Sequence, residues 1–182
     1  AYCSQGTGHY AQYRDAKTNS SFNDICIYRK KEVFKFFHKK FNELCTYSLN
    51  TKSKVNSAFL SADFKEALKT FEGGTVYADP PYCFVHYSRF YHALETLVLY
   101  DYPEIQKKNN VIVKGRYRED RHQSPFCIKT KVEDAFLDMF KGVESTKSQL
   151  ALSYSNTGMI SLETMMELAS SVWDSSKIEI LT

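Results

Sequence analysis

The chain has 182 residues, 43% of them hydrophobic, which suits one globular domain or part of a larger one. Lys and Arg number 24 against 21 Asp and Glu, a formal charge of +3, so a polyanionic partner is permitted without being demanded. No run approaches the roughly 20 apolar residues of a membrane span, no secretory leader is legible, and five cysteines without a CxxC or Cys/His knuckle predict free thiols in a reducing, cytoplasmic setting and no metal.

Residues 1–24 are polar and irregular. Gly6-Thr7-Gly8 follows no apolar strand, so it reads as a loop rather than a phosphate-cradling turn. Residues 28–45 read as a helix, with Val33, Phe37, Phe41 and Leu44 on one stripe. Lys31, Lys35 and Lys39 lie on another stripe, either a solvated face or one turned to phosphates. Residues 55–62 read as a strand. Asp63 opens a short helix, and Glu66 three positions on fits a capping box. Gly73-Gly74 closes that helix, and the apolar strand Thr75-Val76-Tyr77-Ala78 follows. A helix is predicted from Ser88 to about Tyr100, with Phe90, Leu94, Leu97 and Val98 as its apolar stripe and Pro103 beyond its end. Val111–Val113 reads as a short strand, Val132–Phe140 as a helix capped by Gly142, and Leu150–Tyr154 as a strand. Ser161–Ala169 reads as a helix and Ile178–Leu181 as a final strand. Strands alternating with helices predict an α/β fold built on parallel βαβ units. The division expected is a helical segment over 1–50 and an α/β part over 51–182.

The chemistry concentrates where the strand 75–78 ends, at Asp79-Pro80-Pro81-Tyr82. In open α/β sheets, ligands bind beyond the carboxyl ends of the strands. Two prolines remove two backbone donors and fix two φ angles, leaving a stiff turn with outward carbonyls, one carboxylate and a terminal aromatic ring. An aryl amine is a poor nucleophile because its lone pair is delocalised into the ring. The Asp79 carboxylate and the Pro80 carbonyl both accept hydrogen bonds from such an amine, favouring a more tetrahedral nitrogen. Tyr82 offers a face for an extruded base, and base stacking contributes roughly 1–3 kcal/mol. Displacement at a methyl group needs alignment more than a strong base. The bland alternative is a Pro-Pro turn with Asp79 as a mere cap.

Asp79-Pro80-Pro81-Tyr82, with Val76-Tyr77-Ala78 before it, resembles the catalytic strand and loop of DNA adenine methyltransferases of the Dam-like (D12) class. Leu152-Ser153-Tyr154-Ser155-Asn156 is similar to a later sheet strand of that family, and Asp63-Phe64 resembles its pair beside the cofactor adenine. The resemblance spans about residues 55–170 and implies a Rossmann-like, S-adenosylmethionine-dependent sheet. It implies that Asp79 and the Pro80 carbonyl accept from the target amine while Tyr82 stacks on a flipped adenine. It also implies that Asp63 accepts from the cofactor adenine and Phe64 packs on its ring. The family's Gly-containing turn for the methionine end of S-adenosylmethionine has no counterpart here. The chain is therefore expected to be the catalytic back part of an incomplete sheet, partnered by double-stranded DNA and by a missing front half or a second subunit. A restriction–modification setting is implied.

Lys114, Arg116, Tyr117, Arg118 and Arg121 interleave basic and aromatic side chains, which suits DNA contact and equally suits an exposed charged loop. His86, His92 and Cys83 are weaker candidates, since the alkylated amine loses its proton to water and no Cys/His constellation is assignable. Two rivals stand beside the main reading. One is amine methylation of cytosine or of RNA. The other is a non-catalytic DNA-binding or subunit-interaction module.

Overall fold

The computed structural model describes residues 2–5, 9–13, 16–50 and 58–181. The chain divides into two compact units, one of Ala1–Phe59 with Lys114–Arg116, the other of Leu60–Val113 with Tyr117–Thr182.

In the first unit, β1 (Tyr2–Gln5) and β2 (His9–Tyr13) pair antiparallel. Gly6-Thr7-Gly8 lies outside the described residues. Two helices follow where one was predicted: α1 (Asn19–Arg29) and α2 (Val33–Asn50). Thr18 caps α1, its hydroxyl accepting from the Ser21 N–H at 3.1 Å. The chain leaves helical geometry at Lys30–Glu32, which places Lys31 in the break rather than on a lysine face. Phe37 stacks on Phe41 at 6.1 Å, yet the stripe Val33, Phe37, Phe41 and Leu44 stays exposed.

The second unit is organised around α6 (Val132–Ser145), whose Val132, Ala135, Phe136, Met139, Phe140 and Val143 are buried at helical spacing. Against it pack α3 (Phe64–Lys69), β6 (Gln149–Leu152) and α7 (Leu162–Ser170), the last capped by Ser161. Helix α6 runs past Gly142, which is a contact and not a cap. A Cβ there would meet Leu68 Cδ1 at 2.8 Å, so the close approach of α3 overrides the terminator reading. Strand β3 (Thr75–Ala78) pairs parallel with β6 in the register Thr75↔Gln149 to Ala78↔Leu152. Helix α6 lies between them in the chain, a βαβ arrangement. Gly73 and Gly74 precede β3 at φ +102° and +132°, a turn that L side chains rarely adopt.

The predicted helix 88–100 is α4 (Tyr87–Phe90) followed by α5 (His92–Leu99), ended by Tyr100 in the left-handed region at φ 50°. Its predicted apolar stripe is open to solvent at Leu94, Leu97 and Val98. The predicted strand at 111–113 is β5 (Val111–Ile112), paired antiparallel with β4 (Lys107–Lys108) and outside the parallel pair. Residues 58–62 and 178–181 form no strand, contrary to the strands predicted there, and residues 51–57 lie outside the described ones. The described residues thus form a mixed helix–strand protein with three two-stranded sheets. No helix among them is long and apolar enough to cross a membrane.

Candidate active site

The ladder between β3 and β6 runs to the edge of the motif. Ser153 N–H donates to the Ala78 carbonyl at 2.9 Å, and Asp79 is the next residue. Pro80 is buried, which anchors the turn, and Pro81 forms part of the wall of an open cleft of about 790 Å³. Asp79 is exposed and enters no ion pair among the described residues; Tyr82 is 46% exposed. The carboxylate and ring that sequence reasoning chose are therefore accessible, on a turn held from beneath.

Asp63 and Phe64 line the same cleft. Asp63 caps α3 through one oxygen, Oδ1, which accepts from the Lys65 N–H at 2.9 Å. Half of the expected capping box is missing, because Glu66 accepts from Lys69 Nζ at 2.7 Å. Phe64 is half-buried, its ring 5.4 Å from that of Phe126, so a core aromatic fixes its orientation. A carboxylate oxygen left over from the cap, beside a flat apolar ring in an open cleft, fits an aminated heterocycle such as adenine.

Tyr87, Tyr91 and Glu95 also line the cleft, at a spacing of four along α4 and α5. The sequence reading of this stretch rested on its apolar stripe and on His92; the signal it passed over is this polar-aromatic row. The Tyr87 and Tyr91 rings meet edge to face at 5.9 Å. The Tyr87 phenol is held above its ordinary pKa, by burial first and then by the negative charge of Asp79. Tyr87 therefore lies within electrostatic reach of Asp79 as well as lining the cleft. Behind the turn, Cys127 is 5% exposed, and burial pushes its thiol up to about 11. Cys83 Sγ and Cys127 Sγ both reach the Val85 carbonyl, at 3.8 and 3.7 Å.

The basic loop divides between the two units. Lys114 and Arg116 belong to the first unit, Tyr117, Arg118 and Arg121 to the second. Lys114 is exposed; Arg116 is half-buried at φ 50°. Arg118 corrects the expectation outright. It is 6% exposed, and its two terminal nitrogens donate to Asp101 Oδ1 and Oδ2 at 2.7 and 2.6 Å, a bidentate pair inside the fold. That bonding holds the Asp101 carboxyl below its usual pKa. Tyr117 is half-buried, edge to face with His92 at 5.2 Å. Arg121 donates to Ser88 Oγ at 3.4 Å. His86 and His92 are both buried, not poised over the turn.

Among curated proteins, the chain is similar to modification methylase LlaI of Lactococcus lactis subsp. lactis, 32% identical over 64% of this chain and 17% of that protein. It is 30% identical to the type II methyltransferase M.FokI of Planomicrobium okeanokoites, over 65% of this chain and 17% of the relative. It is 28% identical to the type II methyltransferase M.NlaIII of Neisseria lactamica, over 59% and 29% respectively. The chain thus spans less than a third of the length of these relatives. No solved structure matches it. The sequence pattern of one family, described as D12 class N6 adenine-specific DNA methyltransferase, matches residues 9–168, which include both Asp63-Phe64 and the Asp79–Tyr82 turn. With the match covering most of its length, the chain belongs to the D12 class N6 adenine-specific DNA methyltransferase family.

Proposed function

We propose that the chain carries the catalytic part of a site-specific DNA methyltransferase of a restriction–modification system, acting on the exocyclic amine of a flipped-out adenine. The observation that carries this is the accessible Asp79 on a proline-stiffened turn at the carboxyl end of β3, a turn whose Pro81 lines a cleft together with Asp63 and Phe64. The parallel β3–β6 pair with α6 between its strands is read as the centre of a Rossmann-like sheet.

Asp63 and Phe64 would hold the adenine of S-adenosylmethionine, which supplies an electrophilic methyl group when bound. The chain's own residues hold the nucleophile. The Asp79 carboxylate and the Pro80 carbonyl accept from the two amine hydrogens, so the nitrogen lone pair is freed from the ring and aimed. Tyr82 takes the base face, where stacking contributes roughly 1–3 kcal/mol. No side chain needs to remove the proton, because the alkylated nitrogen releases it to water. Lys114, Arg116 and Arg121 are the remaining proposed contacts to double-stranded DNA, and residues 1–50 are proposed to serve on the recognition side. The proposed working place is the cytoplasm, where thiols stay reduced.

The test is mass analysis of nucleosides from DNA incubated with the protein and S-adenosylmethionine. The expected product is methylated adenine, and Asp79→Ala lowers its formation by at least about a hundredfold with an unchanged circular-dichroism spectrum. Undiminished transfer by Asp79→Ala defeats the mechanism. Methylated cytosine in place of methylated adenine moves the assignment to the other exocyclic amine.

A further inference from the structure

Beside the cleft wall at Ser88 lie two cationic side chains, Arg89 and Arg121. The guanidinium carbon of Arg89, in α4, lies 5.7 Å from the centroid of the Tyr117 ring. Arg121 Nη1 donates to Ser88 Oγ at 3.4 Å, and Ser88 Oγ donates to the His122 carbonyl at 2.6 Å. Ser88 and His122 both line the cleft, so Arg121 is tied to its wall. Neither Arg89 nor Arg121 enters an ion pair among the described residues, although Glu95 lines the same cleft. Arg89 Nε is enclosed without a hydrogen-bond partner. His86, 7% exposed, keeps an enclosed Nδ1 that is also without one. Arg118 shows the contrast, since its guanidinium is satisfied by Asp101. Burial and then the charge of Arg89 lower the pKa of Arg121, against a smaller opposing effect of Tyr117.

Two guanidiniums held near each other in a partly desolvated rim repel, and leaving enclosed N–H groups unmade costs free energy. An anion between them removes the repulsion, and the forked donors of arginine match phosphate oxygens. We infer that Arg89 and Arg121, steadied by Ser88 and Tyr117, form a subsite for one backbone phosphodiester of the strand that delivers its base to the cleft, an inference that rests on the function proposed above. A phosphodiester is favoured over a lone carboxylate because the strand's own field draws it to an uncompensated cationic rim. Contacts of this kind carry no sequence information; they set the register in which the base enters.

The test uses the full chain and a short single-stranded oligothymidylate with one adenine, in which one linkage at a time is replaced by the neutral methylphosphonate. For the wild-type protein, one linkage beside the adenine is sensitive: neutralising it weakens binding about tenfold and lowers the salt slope by about 0.7. In the Arg89→Gln/Arg121→Gln variant the same phosphonate has no further effect, a non-additivity that independent sites do not show. The Arg89→Lys/Arg121→Lys variant keeps the salt slope. Equal phosphonate penalties in wild type and the Gln variant overturn the inference, as does absence of oligonucleotide binding by the wild-type chain. A Gln variant whose loss falls on S-adenosylmethionine in calorimetry, with no sensitive linkage, also overturns it and gives the pair to a cofactor carboxylate. If the Gln variant fails to fold, the wild-type scan with the Lys variant decides, and a scan without a sensitive linkage rejects the subsite. Methyl transfer by Asp79→Ala is read separately: if it persists while the phosphonate coupling is seen, the proposed chemistry falls and the phosphate subsite stands.

Discussion

His86 stands at the head of α4 with its ring buried, and the charged groups acting on it are Arg121, Arg89 and His122. Burial first, and then those cationic neighbours, hold its pKa below the ordinary 6.5. The sign of the consequence is fixed. Above 6.5 the imidazole is neutral in both folded and unfolded chains. Below it the unfolded chain takes up a proton that the folded chain refuses, so stability falls as pH falls, down to the depressed folded value. Thermal melts from about pH 7 to about pH 5 are expected to show a declining midpoint, with a shallower decline in His86→Gln. Parallel melting curves in the two proteins would remove His86 from the acid limb. Asp79, one short loop away in sequence, has the opposite setting: exposed, and carried on prolines.

At the scale of elements, α6 is the body on which the cleft is built. Phe136 is fully buried and meets the rings of Phe126, Phe140 and Tyr154 at 5.0, 6.0 and 5.2 Å. Phe126 in turn packs against Phe64, so core packing and the proposed cofactor wall share one chain of aromatic contacts. Phe136→Ala is expected to cost about 3–5 kcal/mol in denaturant unfolding, the range for deleting a buried ring. A loss under about 1 kcal/mol would mean that the cluster repacks freely. The same helix shows where sequence logic gave way. Its apolar spacing was legible, but Gly142 was read as a stop. Glycine is a poor helix former, and that propensity cannot register that Leu68 presses on the position from α3. The cap at Asp63 was better marked, because it bonds to the Lys65 N–H only two residues on.

For the whole chain, burial is distributed unevenly. Neither α1 nor α2 contains a buried residue, whereas α6 contains six. Amides of α6 and of the β3–β6 ladder are expected to exchange most slowly with deuterated solvent, and those of α2 much faster, because local opening follows the number of buried contacts. Equal protection of α2 and α6 would contradict that order. The amino-acid order alone singled out the Asp79–Tyr82 turn, the Asp63-Phe64 pair and the cap at Asp63, because each is written in neighbouring residues whose geometry is local. The fate of the arginines was settled by the folded chain. Arg118 finds Asp101 from 17 positions away, and Arg121 finds Ser88 from 33. A cation looks the same in a sequence whether it will meet a carboxylate, a hydroxyl or water. Only long-range packing sets the partner and the dielectric around it, and those decide whether the charge braces the fold or faces a ligand.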